Sequence, residues 1–381
     1  MEFFKKYLLL LFLIANITSE YKLFASVSKV LFYVIFAVSI LFLFRQEVWS
    51  PLSKKRFSEF FSFILIYLIA QFVLQLDLIN QQNLLYTISK CSFFLILILC
   101  ISTNFDFYFK KSLNIFPFII LGLIALGWVY NRVDALGSVC FGFVNRNVAC
   151  TLSTAAFAGF LFRKEKISTL EFLFAAFLFA TILYGGSRNA LAMCILIVFV
   201  RYGISFKIIV VGAISAILII YICPMLGIEA TAFERLTGTI EGNVSLDRED
   251  QRKAAWMMIQ LRPWTGWGYS YSNVGSAAIL TELGPHNGYI HTIENLGWPL
   301  GLLLLSGILF GSIKRIKLYF LHNDIINYHL AIIISTLFGA IQESYLIGVN
   351  QCTTNLFFLS FAVLGVYLYN YKNKSICIKK K

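Results

Sequence analysis

Apolar runs of about 18 or more residues recur along the whole chain. A bilayer core about 30 Å thick takes about 20 apolar residues of helix to cross. Only helices and closed barrels can satisfy their backbone hydrogen bonds in lipid. Barrel strands would show alternation in segments of roughly 10 residues, and no such pattern is present. The chain is 59% hydrophobic and 13% charged, where a soluble domain carries about a quarter charged residues. These features predict an all-α polytopic membrane protein.

About twelve transmembrane helices are predicted, at 4–19, 27–44, 60–78, 84–103, 115–130, 146–162, 168–184, 189–203, 206–226, 290–312, 326–346 and 351–370. The chain thus divides into nine helices over 1–226, a large outer loop over 227–289, and three helices with a basic tail over 290–381. The N-terminal Lys5, Lys6 and the apolar run after them resemble a signal peptide. No convincing small-x-small cleavage site follows, so the run is read as an uncleaved first helix.

The net charge of +13 does not point to nucleic acid. The basic residues sit in short loops between apolar runs, where they orient helices and meet membrane lipid. With both termini placed in the cytoplasm, inner segments hold 21 Lys and Arg and outer segments nine. Inside, 16 of 21 are Lys; outside, seven of nine are Arg. Orientation alone does not require Arg over Lys. The planar guanidinium gives paired donors that match phosphate oxygens. The other reading is that these Arg pair with loop acids such as Glu234 or Asp250.

The loop over 227–289 differs from all others. It carries Trp256, Trp264, Trp267, five basic residues and seven acids. A loop of such length without function or disorder is uncommon. Asp247 is a candidate cap for a helix running to about Leu261. On that helix Arg248, Arg252 and Trp256 share one face at i+4 spacing. "RPWTGWGYS" follows as an aromatic turn suited to the membrane–water interface.

Three features could carry chemistry. "GGSRNA" puts Arg188 in a tight outer loop at membrane level, where a charge needs a partner: an anion ligand or a snorkelling anchor. Arg252 lies on the loop helix, as ligand or as part of a solvated face. His286, in "GPHNGYIHTIENLG", precedes the tenth helix and could take a proton from a hydroxyl, or be structural. Glu343 is predicted near the outer surface and could join the site. No HExxH or Cys/His cluster marks a metal site, and no P-loop or GxSxG appears. Cysteines show no CxxC spacing; Cys140 and Cys352 fall near outer loops, their pairing open.

Taken in order, "FGFVNRNVA" (141–149), "GGSRNALAM", "DQRKAAW" (250–256), "RPWTGWGYS" and "PHNGYIHTIENLGWPLG" resemble motifs of the O-antigen ligase and polymerase family of bacterial envelope glycosyltransferases. The resemblance covers most of the chain. One spacing departs from it: Gly297 is followed by Gly301, where the family has its second glycine one residue earlier.

The resemblance implies a GT-C-like fold in the bacterial inner membrane with the active site on the periplasmic face. It implies a glycan on undecaprenyl diphosphate as donor, with no cofactor, metal or nucleotide sugar. Arg188 and Arg252 would hold the diphosphate and His286 would act as base, with Arg146, Arg248, Trp256, Asn287 and Glu343 around the substrate. The acceptor would be a lipid A-core sugar for a ligase, or a second lipid-linked glycan for a polymerase. A polyprenyl-glycan transporter is the reading from another class. It finds no support in a two-half repeat.

Overall fold

The structure, a computed structural model, describes residues 2–43, 57–130, 140–204, 210, 244–269, 285–348 and 351–379. Among these residues there are twelve α-helices and no β-strand. They are α1 (Glu2–Ser19), α2 (Ala25–Leu43), α3 (Ser58–Ile69), α4 (Gln81–Thr103), α5 (Ser112–Tyr130) and α6 (Arg146–Leu161). After them come α7 (Thr169–Gly185), α8 (Arg188–Tyr202), α9 (Val244–Leu261), α10 (Gly288–Ile316), α11 (Asp324–Gly339) and α12 (Cys352–Lys379). Eleven correspond to predicted membrane helices; the other, α9, is the helix expected within the large loop. Apart from residue 210, the predicted helix at 206–226 lies outside the described residues.

Local chemistry sets the helix starts. Asn80, Asn145, Ser187, Asn287 and Asn323 each accept a backbone N–H of the first turn. Ser168 and Glu171 form a reciprocal capping box at α7. Four segments are long and apolar enough to cross a membrane: 81–103, 107–130, 288–321 and 352–371. Five further apolar helices are shorter.

An aromatic core of Phe60, Phe63, Phe94, Phe358 and Phe361 joins α3, α4 and α12. The two ends of the bundle differ in chemistry. One end gathers ion pairs of residues predicted to face the cytoplasm: Arg201 with Asp324, Lys164 with Glu171, and the buried Arg315 with Glu59 at 2.6 Å. The opposite end gathers the loop helix, the α6 and α8 starts, and the segments flanking α10 and α11.

Three expectations need correction there. First, α11 stops at Gly339 instead of continuing to 346. Outside donors take the carbonyls a longer helix would use: Tyr289 Oη donates to Leu337 O, Asn189 Nδ2 to Gly339 O, Gly288 N to Ala340 O and Asn287 Nδ2 to Ile341 O. Second, α9 begins at Val244, so Asp247 lies inside the helix and not at its N-cap position. Third, α10 runs to Ile316 but is broken at Gly297, whose φ of 72° and ψ of 171° are non-helical. Pro299 lacks a backbone donor, and the break exposes neighbouring carbonyls. The "RPWTGWG" turn satisfies them: Trp267 N donates to Glu294 O at 2.9 Å and Gly268 N to Asn295 O at 3.0 Å, while Trp298 N donates to Pro263 O at 2.7 Å. That turn therefore locks the loop helix onto the break, beyond any interfacial role of its aromatics. The spacing of Gly301 also has a local reason: a Cβ there would lie 3.0 Å from Ile293 Cα, so the folded-back helix needs a small residue at that point.

Candidate functional site

The 340–348 segment that replaces the end of α11 is the centre of the site. Pro285 and His286 lead into α10, and Asn287 caps it through Tyr289 N and Ile290 N, both at 3.0 Å. The same Asn287 side chain donates to Ile341 O at 3.0 Å. Ser344 Oγ donates to Pro285 O at 2.9 Å. Two short segments are thus stitched side by side, and His286 meets Glu343: Nδ1 lies 3.0 Å from Oε2. The other carboxylate oxygen accepts Asn147 Nδ2 at 2.9 Å, from the first turn of α6.

An ionised Glu343 fixes the proton on His286 Nδ1 and leaves Nε2 as the acceptor. Nε2 has no partner among the described residues, and the His286 side chain is 25% exposed against 10% for Glu343. The geometry is that of an oriented general base with one open nitrogen.

Arg252 reaches the same segment from α9, with Nη2 3.5 Å from Gln342 Oε1. Its Nε is buried with no partner among the described residues. A buried guanidinium donor left open invites an anionic oxygen. Arg188, the first residue of α8, is exposed. Its neighbour Asn189 donates to Gly339 O at 3.1 Å, so α8 starts where the 340–348 segment starts. Behind Glu343 is a cavity of about 70 Å³, lined among others by Glu20, Asn147, Thr151, Tyr345 and Gln351. The Tyr345 hydroxyl pairs with Thr151 Oγ1 at 2.8 Å.

The structure therefore brings His286, Asn287, Glu343 and Arg252 together and sets Arg188 at the edge of the group. The other three sequence candidates fare differently. Trp256 stands apart: its ring faces Trp298 at 5.8 Å and is partly exposed. Arg146 is half-buried at the start of α6, on the Cys140 side, and touches none of the group. The Arg248 side chain lies outside the described residues. Arg262, one of the outer arginines, pairs with Asp77, as the ion-pair reading has it. Cys140 and Cys352 are both free and do not pair. Asn147, Asn189 and Gln342 were missed as site residues; the first lies in "NRN" and the second directly follows Arg188, so both stood inside quoted motifs.

A bundle of apolar helices with a cationic, histidine-bearing group at one end defines a membrane-embedded protein with an enzyme-like site. A family model described as O-antigen ligase matches residues 173–305. The match supports the resemblance read from the motifs over that stretch: residues 173–305 are similar to the O-antigen ligase family. The matched stretch holds Arg188, Arg252, His286 and Asn287; Asn147 and Glu343 reach the site from outside it. No curated protein matches the chain.

Proposed function

We propose that the protein transfers a glycan from a polyprenyl diphosphate to a sugar hydroxyl at the periplasmic face of the bacterial inner membrane. In a glycosyl diphosphate the anomeric carbon is already activated. The catalyst must neutralise charge growing on the departing diphosphate and deprotonate the attacking hydroxyl. Arg252 and Arg188 supply fixed cations for the first task. His286 accepts the proton at Nε2, and Glu343 steadies the imidazolium that forms. Direct attack by the acceptor inverts the anomeric carbon, and the guanidinium pair does the neutralising work that elsewhere falls to a divalent metal.

The observation that carries this reading is the His286–Glu343 pair set beside Arg252, with one imidazole nitrogen open. The acceptor we assign is a lipid A-core sugar, making the protein an O-antigen ligase that uses undecaprenyl-diphosphate-linked chains. The test mixes purified protein with lipid-linked repeat units, with and without lipid A-core, in the presence of EDTA. Glycosylated core supports the ligase. Lengthened lipid-linked chains without core transfer would identify a polymerase. His286→Ala should lower transfer by at least about a hundredfold. Unchanged transfer in that variant, or abolition by EDTA, would refute the mechanism.

A further inference from the structure

Nine residues into α4 sits a lysine with no solvent contact. Lys90 is 0% exposed, and no carboxylate pairs with it among the described residues. An unpaired ammonium within a membrane-spanning helix is costly to keep, so it marks a role by default. Its ammonium lies 5.6 Å from the centre of the Phe94 ring and 5.0 Å from that of Phe358. It donates to two backbone carbonyls, Ile347 O and Gly348 O, each at 3.3 Å. Tyr86, one turn earlier on α4, donates its hydroxyl to the same Ile347 O.

Those carbonyls end the segment that carries Glu343. Having left the helix at Gly339, the segment satisfies only part of its backbone by local turns, such as Gln342 N to Gly339 O and Tyr345 N to Glu343 O, and irregular backbone at membrane depth survives only where protein groups satisfy it. Its first half is held from α8 and α10 by Asn189 and Asn287. Its middle is held at Tyr345, whose carbonyl accepts Thr354 Oγ1 and whose hydroxyl meets Thr151. Its far end rests on Lys90 and Tyr86. The side chains of a helix lean toward its N-terminus, so Lys90 points from the bundle interior up to the segment. A charge–dipole contact to two carbonyls at once is stiffer than a single neutral bond.

We propose that Lys90 is a positioning residue for the reaction: it fixes the 340–348 segment so that Glu343 meets His286. The inference rests on the glycosyl-transfer reading above. Lys90 touches no substrate. It acts through Ser344, Tyr345 and Leu346, the three residues between Glu343 and Ile347.

The test compares Lys90→Met, Tyr86→Phe and Glu343→Gln, singly and with each anchor variant combined with Glu343→Gln, in the purified transfer assay. Lys90→Met should lower kcat by roughly ten- to a hundredfold, the scale of a misplacement near 1 Å. KM for the lipid-linked donor should stay within about twofold, because the arginines are untouched. In the Glu343→Gln background the same change should cost less than about twofold, since no carboxylate remains to be positioned. Tyr86→Phe, which removes one neutral donor from the same carbonyl, should act in the same direction by a smaller factor. It decides the matter if Lys90→Met fails to fold. The proposal is overturned if the anchor variants keep wild-type kcat while Glu343→Gln is impaired, or if they lower kcat by the same factor in both backgrounds. Wild-type activity in Glu343→Gln would instead bring down the transfer reading itself.

Discussion

Replacing Gly297 with alanine should detach the loop helix from the bundle and silence the site. At φ 72° and ψ 171° the backbone occupies a region essentially reserved for glycine, and forcing another residue there costs about 1–3 kcal/mol. The added Cβ would stand 2.6 Å from Trp264 O and 2.9 Å from Thr265 N. Both atoms are backbone, so the 262–268 turn must move. Three backbone hydrogen bonds cross that joint, each worth about 1 kcal/mol net. The sum is on the order of 4 kcal/mol, enough to free α9 from α10 and to separate Arg252 from His286. Trp264, Trp267 and Trp298 sit in the joint and report on it. In detergent, Gly297→Ala should red-shift tryptophan emission, lower the midpoint of thermal unfolding and reduce glycan transfer by about a hundredfold or more. Gly301→Ala, whose Cβ would meet Ile293 Cα at 3.0 Å and Thr292 O at 3.3 Å, at a backbone that is helical, should act much more weakly. A Gly297→Ala protein with native emission, midpoint and transfer would refute the claim that this break clamps the loop helix.

Arg252→Lys keeps the charge but loses the fork that reaches Gln342 and leaves Nε open; transfer should fall by about 10²-fold or more, read in the in vitro assay. Asn287→Ala removes the α10 cap and the tie to Ile341, so unfolding should come earlier by about 1 kcal/mol, with kcat falling alongside it. The Cys140 thiol is pushed up to about 12 by burial, with Arg146 pulling it partway back. It should therefore resist maleimide at pH 8 and react only after denaturation, checked by mass spectrometry. For sidedness, single cysteines at Lys253 and Lys164, both exposed, should divide: an impermeant reagent added to whole spheroplasts should label the first and spare the second.

The helices were legible because lipid imposes one pattern, and an apolar run of that length has few other fates. The caps were not: Asp247 was expected to cap the loop helix, whereas Ser168, Ser187 and Asn287 are the residues that cap helix starts. His286, Arg188 and Arg252 could be singled out because polar groups are rare in such a chain, and the motif order placed them on one side. The end of α11 could not be read: "AIQESYLIG" is as helix-compatible as what precedes it, and the donors that unravel it come from α4, α8 and α10. For that reason Glu343 was expected near the outer surface as a residue that could join the site, while its contact with His286 depends on long-range pairing. Asn147 was invisible as a site residue because its partner is 196 positions away.

The shortness of α11 has a consequence for how the two substrates meet. Sixteen helical residues rise about 24 Å, several ångströms less than a bilayer's oily interior. On the transfer reading proposed above, a diphosphate anchored by its lipid tail would therefore not have to be hoisted into open water to be cleaved. The incoming alcohol would instead descend into a polar notch beneath the headgroups. Depth itself would then screen acceptors, favouring those carried on a lipid of their own over sugars drifting free in the surrounding fluid.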